Sequence, residues 1–219
     1  MVPWKTLATI VTAEGPLELR QRGAREFLIV IGGRVLMTSA DRRSEQALAT
    51  LACEGLASSA PRVLIGGLGM GYTLRAALDA LPASAQVAVA ELTAEVEDWC
   101  RGPLAPLTDA AVSDPRVRIV IGDVARVIAD APRAHYDAIV LDLYEGPHAA
   151  TQRADDAFYG RAALDRSRAA LAARGVLAVW SEEPDGAFAH RFTAAGFAVA
   201  AHRLGASRTH IVYVGRRRV

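Results

Sequence analysis

Lysine is almost missing from this chain of 219 residues: Lys5 is the only one among 25 basic side chains, the rest being arginine. Imine chemistry on lysine therefore has one candidate, near the N-terminus and far from every motif below, and the arginine excess reads as coding bias. Cysteine is nearly as scarce. Cys53 and Cys100 stand in apolar, helix-like surroundings with no C-x-x-C or His/Cys spacing. Buried, reduced thiols are expected, and no disulfide framework. The five histidines show no ligand spacing, so no metal is expected. No G-x-S-x-G or Cys/His constellation points to covalent catalysis.

Long apolar runs and a dominant charge are missing as well. The N-terminal segment is apolar only between Lys5 and Glu14, and no uncharged stretch approaches the roughly 18 residues of a membrane helix. No membrane partner is expected, and a cytoplasmic location follows by default. The 25 basic and 24 acidic residues leave a net charge of +1, dispersed along the chain, which argues against a nucleic-acid partner. Only the C-terminal "GRRRV" is locally basic, and it reads as a solvated tail.

What is present is a 52% apolar chain long enough for one substantial core and a small subdomain. Residues 7–39 alternate as strands, with Gly15-Pro16, Gly23 and Gly32-Gly33 at the turns, which predicts an antiparallel meander. From "SEQALATLACEGL" onward the period becomes helical, and after Pro61 apolar strands and helices alternate. Strands are predicted at Arg62 to Ile65, Gln86 to Glu91, Val117 to Ile121, Tyr136 to Leu141 and Gly175 to Trp180. Helices are predicted at Gly71 to Leu81, Ala94 to Cys100, Val124 to Asp130 and Asp156 to Ala173, with another from about Gly186. "FAVAAHRL" and "THIVYVG" then read as a terminal hairpin that puts one antiparallel strand at the sheet edge. The expected fold is α/β: a doubly wound, mostly parallel, Rossmann-like sheet of seven strands behind a small N-terminal β-subdomain. The boundary is drawn at residue 45, giving a meander over 1–45 and a nucleoside-binding, catalytic domain over 46–219.

In such a sheet ligands bind beyond the carboxyl ends of the strands. "VLIGGLGMGYTLRAAL" puts Gly67, Gly69 and Gly71 directly after the first of these strands, where small residues let backbone approach a ligand and the next helix offers free N–H groups. A tight turn needs the same residues. Glu91 ends the second strand and can accept from two ribose hydroxyls, or be an exposed strand-end acid. "IVIGDVARV" puts Asp123, followed by Val124, at the start of a helix. Asp123 can cap that helix or accept from an adenine amino group. Glycines, acid and Gly-Asp in succession are more typical of S-adenosylmethionine-type sites than of nicotinamide sites. "YDAIVLDLYEGPHAAT" adds Asp142 after the fourth strand and Glu145 in a Gly-Pro loop. Two acids there can hold a cationic amine and take its proton as nitrogen attacks carbon beside a sulfonium. They can equally be an ordinary strand-end Asp and a solvated Glu. Tyr144 and His148 share the loop as candidate acceptor-pocket residues, and Trp180 is either a pocket wall or core. The loop from Leu143 to Ala157 is expected to gate the acceptor.

These segments, together with "SEQALATLA", "VAVAEL" and "DDAFYGRAALDRSRAALAARGVLAVWS", resemble the polyamine aminopropyltransferases, the spermidine synthase family, in the same order from about Gly15 to Trp180. The resemblance implies a class I methyltransferase-like fold, possible homodimers, and transfer of an aminopropyl group from decarboxylated S-adenosylmethionine to an amine. It assigns Glu91 to ribose, Asp123 to adenine, Asp142 as the catalytic carboxylate and Glu145 to the second acid of the family's Asp-Ser-Ser-Asp loop. Two departures stand out. The family's Gly-Gly-Gly-Asp-Gly is "GGLGMG" here, without the acid that would hold the donor's amine and repel the carboxylate of intact S-adenosylmethionine. The family's Tyr-Gln-Glu is Arg43-Ser44-Glu45, so only Glu45 is kept to line the acceptor channel, and Ser44 with Glu45 also fits a helix cap. The expected function is thus aminopropyl transfer to a small-molecule amine. The alternatives are an S-adenosylmethionine-dependent methyltransferase of a small molecule and a non-catalytic nucleoside-binding protein.

Overall fold

The computed structural model describes residues 2–144, 146–148, 151, 153, 155–205 and 210–218. The alternating N-terminal stretch folds as β1 (Lys5–Thr12), β2 (Gly15–Arg22), β3 (Glu26–Ile31) and β4 (Arg34–Thr38), an antiparallel sheet in that order. Alternate residues of β2 and β3, namely Leu17, Leu19, Phe27 and Ile29, are buried. The period of two thus gives this sheet one inward face. The helix α1 (Arg43–Cys53) follows and buries Leu48, Ala49 and Ala52.

The larger sheet contains β5 (Arg62–Gly66), β6 (Gln86–Glu91), β7 (Val117–Ile121), β8 (Tyr136–Leu141), β9 (Leu171–Ser181), β10 (Phe197–Leu204) and β11 (His210–Arg217). Their order is β10-β11-β9-β8-β5-β6-β7. Between them run α2 (Tyr72–Ala80), α3 (Ala94–Arg101), α4 (Val124–Asp130), α5 (Arg161–Ala170) and α6 (Gly186–Ala194). Strands β5 to β9 pair in parallel, and both their faces are covered. That is why they read as continuous apolar runs. One buried cluster joins α1, α2, α3 and the inner face of the small sheet, and a second lies under α4, α5 and α6. Because β6 and β8 flank β5 on opposite sides, the order reverses at β5 and opens a crevice at its carboxyl end.

Three expectations change in detail. The antiparallel strand is β11, which lies between β9 and β10 rather than at the edge. β11 is the more apolar strand of the hairpin, with Ile211 to Val214 buried, so it takes the position with neighbours on both sides. The helix expected from Asp156 to Ala173 is shorter. Asp156 Oδ1 accepts from the Phe158 and Tyr159 N–H groups, making a turn that delays α5 to Arg161, and β9 begins at Leu171. Ser44 lies inside α1 and donates to Glu45 Oε2 at 2.6 Å, so it does not cap the helix.

Among the described residues, no helix is long and apolar enough to cross a membrane, and no three candidate ligands gather for a metal. Both cysteines are buried and unpaired, and burial pushes their thiols up to about 12.

Candidate active site at the glycine loop

The connection from β5 to α2 is held from three sides. Gly67 N–H donates to Ala90 O on β6 at 2.9 Å, and Asp142 N–H donates to Gly66 O at 2.9 Å from the end of β8. Gly67 has a φ of +88°, and a Cβ there would stand 2.4 Å from the Asp142 carbonyl oxygen. Glycine is thus required both by conformation and by the closeness of the next strand. Across the loop lies Met37 of β4, whose Sδ accepts from Met70 N–H at 3.3 Å. The Cys100 thiol donates to Gly69 O at 3.3 Å.

Glu91 ends β6 as expected and is turned into the loop. Its Oε2 accepts from Leu68 N–H and its Oε1 from Thr93 N–H, each at 2.9 Å, with the side chain almost wholly buried. Each oxygen keeps a second lone pair that can accept from a hydroxyl. Asp123 caps α4, its Oδ1 accepting from Ala125 N–H at 2.8 Å. Val124 is buried with its methyl groups against Gly66, so its backbone alone can face a ligand.

Asp142 is half-buried as a residue, but its carboxyl group is enclosed. Loss of hydration, and then the charge of Glu45 on α1, push it up from 3.8 to about 7, against a hydrogen bond from Thr73 that favours the charged form. That bond runs from Thr73 Oγ1 to Asp142 Oδ2 at 2.5 Å. The fold therefore brings together the glycine loop, Glu91, Asp142 and Glu45, which are widely separated in sequence. Thr73 and Met37 join them without a forewarning motif. The only sequence signal for Thr73 was a hydroxyl two residues past the last glycine.

The residues expected to line an acceptor pocket are more dispersed. The Tyr144 ring is partly exposed and lies under the Arg34 guanidinium of β4, 4.5 Å from its centroid. His148 sits in a turn, its N–H donating to Thr151 Oγ1 at 2.9 Å. Glu145 lies outside the described residues. Gly146, with a φ of +68°, is pressed against the end of β9, where a Cβ would stand 2.2 Å from Trp180 O. Ser181 Oγ donates to Pro147 O at 3.2 Å, so this part of the loop is tied to β9. Trp180 is half-buried and packs 5.1 Å from the His210 ring.

No family model matches the sequence. Over 81 residues, or 37% of the chain, it is 38% identical to putrescine N-methyltransferase 3 of Nicotiana tabacum, and the match covers 21% of that relative. The chain thus spans about a fifth of the length of the curated relatives it matches. Among solved structures, a spermidine synthase in complex with the transition-state analogue AdoDATO superposes with a TM-score of 0.77 at 19% identity, covering 97% of this chain and 72% of that one. The spermidine synthase of Thermotoga maritima gives 0.76 at 18% identity, covering 97% and 73%. Strand order, the added β-sheet and these superpositions together identify the fold as that of the spermidine synthases.

Proposed function

We propose that the chain is a transferase that moves an alkyl group from an adenosyl sulfonium to the nitrogen of a small amine. The observation that carries this reading is the enclosed Asp142 carboxyl, tied to Thr73 and raised by burial and by the charge of Glu45, beside a glycine loop braced by Glu91. Glu91 and Asp123 hold the nucleoside, and the loop backbone lies along the rest of the donor. The amine enters between Glu45 and Asp142 as a cation. Asp142 takes its proton, the freed lone pair attacks the carbon beside sulfur, and the C–S bond breaks with its electron pair going to sulfur, leaving a neutral thioether. A carboxyl near 7 rather than 3.8 makes that proton transfer easier by about 4 kcal/mol.

Aminopropyl transfer from decarboxylated S-adenosylmethionine is the first reading, because the likeness to spermidine synthases extends over 97% of the chain. Methyl transfer from intact S-adenosylmethionine is the second. It is favoured by the acid-free loop from Gly66 to Gly71, crossed by Met37, and by the likeness to a putrescine N-methyltransferase.

Titration calorimetry with the two donors side by side separates these readings. A tenfold preference, about 1.4 kcal/mol, for the decarboxylated donor supports aminopropyl transfer. The opposite preference supports methyl transfer, and binding of neither overturns the proposal.

A further inference from the structure

Asp142 is fixed to the glycine loop twice, through main chain and through side chain. Its N–H donates to Gly66 O, and its carbonyl oxygen lies where a Cβ of Gly67 would be, so its backbone cannot move without the loop. The side-chain tie is Thr73, the second residue of α2, which is 2% exposed and donates from Oγ1 to Asp142 Oδ2. A threonine inside a helix usually bonds the carbonyl four residues back. For Thr73 that position is Gly69, which lies in the loop before the helix. The hydroxyl goes instead to Asp142, and its 2.5 Å contact has the length of a hydrogen bond to an ionised acceptor.

We infer that Thr73 is a positioning residue for the proton transfer: it anchors Asp142 Oδ2 and so leaves Oδ1 as the oxygen that receives the proton of the amine. This rests on the reading of Asp142 as the proton acceptor. The same short segment that bares its backbone for the donor then also orients the base, so donor and base are set by one rigid piece of chain. The titratable group acting on Asp142 is Glu45, from α1; Asp142 in turn helps to push up the buried Tyr159 hydroxyl, on the turn before α5. On α2, Arg75 is paired with Asp79 at 2.6 Å. Thr73 opposes the combined effect of burial and Glu45, and its hydroxyl favours the ionised carboxylate.

The test uses the full chain with Thr73→Val, which keeps the shape and removes the hydroxyl, and Thr73→Ser, which restores it. Thr73→Val is expected to lower kcat roughly tenfold with little change in the KM of the amine, because the base is misaligned rather than the substrate unbound. It should also raise the Asp142 carboxyl by about one unit in a carbon-detected NMR titration, the signal being assigned by its loss in Asp142→Asn. Thr73→Ser should recover both. The titration needs no knowledge of the acceptor and confirms that each variant is folded. A Thr73→Val protein with the wild-type titration overturns the inference, as does a Thr73→Ser protein no better than the valine variant. If Asp142→Asn keeps wild-type turnover, the parent reading fails instead. If Asp142→Asn is inactive while Thr73→Val turns over normally, only the role of Thr73 falls.

Discussion

Glu91 and Asp142 flank the glycine loop from opposite sides, Glu91 ending β6 and Asp142 following β8, yet the chain treats the two acids differently. Two backbone N–H groups converge on Glu91, one for each oxygen, and the side chain splices the loop to β6. Asp142 receives one hydroxyl and faces a second acid. A carboxylate tied by one backbone donor at each oxygen holds structure together, whereas one denied hydration and set against a like charge is ready to take a proton. The Glu91 side of the crevice is thus built for rigidity and the Asp142 side for reactivity.

Asp142→Asn tests this contrast most severely. Turnover should fall roughly a hundred- to ten-thousandfold, the range for loss of a general base. Stability should not fall with it. Because the folded state raises this carboxyl from 3.8 to about 7, its contribution is fully present below 3.8 and is lost as pH rises through 7. The asparagine variant escapes that loss, so urea unfolding at pH 8 should find it more stable than the wild type by up to about 4 kcal/mol. Stability equal to or below that of the wild type at pH 8 would break the comparison.

Glu91→Gln is the mirror experiment. A glutamine can accept from only one of the two N–H groups and turns its own NH₂ toward the other, so unfolding should become easier by about 1 to 3 kcal/mol. A shifted urea midpoint with an unchanged slope would place that cost on the native state. Donor affinity, read by calorimetry, should fall together with stability. Loss of turnover at full stability would instead make Glu91 resemble Asp142.

The smallest effect belongs to Glu45→Gln. Removing the charge that opposes ionisation of Asp142 should move the acidic limb of the pH–rate profile downward by about half a unit, while the KM of the amine rises. An unmoved limb would mean that burial and the Thr73 hydroxyl, without Glu45, set the behaviour of Asp142.

The parallel strands, the glycine loop, Glu91 and Asp142 could be read from the sequence because each depends on local pattern: apolar runs, a positive φ at Gly67, an acid where a strand stops. Thr73 and Met37 could not. Thr73 matters through a partner 69 residues away, and Met37 through a loop that the alternation of β4 does not mention. The over-long helix from Asp156 had a similar cause. Its residues suit a helix, but Asp156 spends its side chain on a turn, a competition that propensity alone does not register. The Ser44 cap failed because α1 begins at Arg43, two residues earlier than a cap at Ser44 requires.

The position of β11 between β9 and β10 has a bearing on how the molecule is made. As a ribosome extends the chain, β10 emerges before β11 but has no sheet strand to pair with until β11 arrives and slots in beside β9. For that interval the edge of β9 stays open and β10 stays unpaired, so closure of this end of the sheet is paced by synthesis of the residues up to Arg217. The crevice at β5, β6 and β8 has no such wait, since its three strands are adjacent and already complete by Leu141.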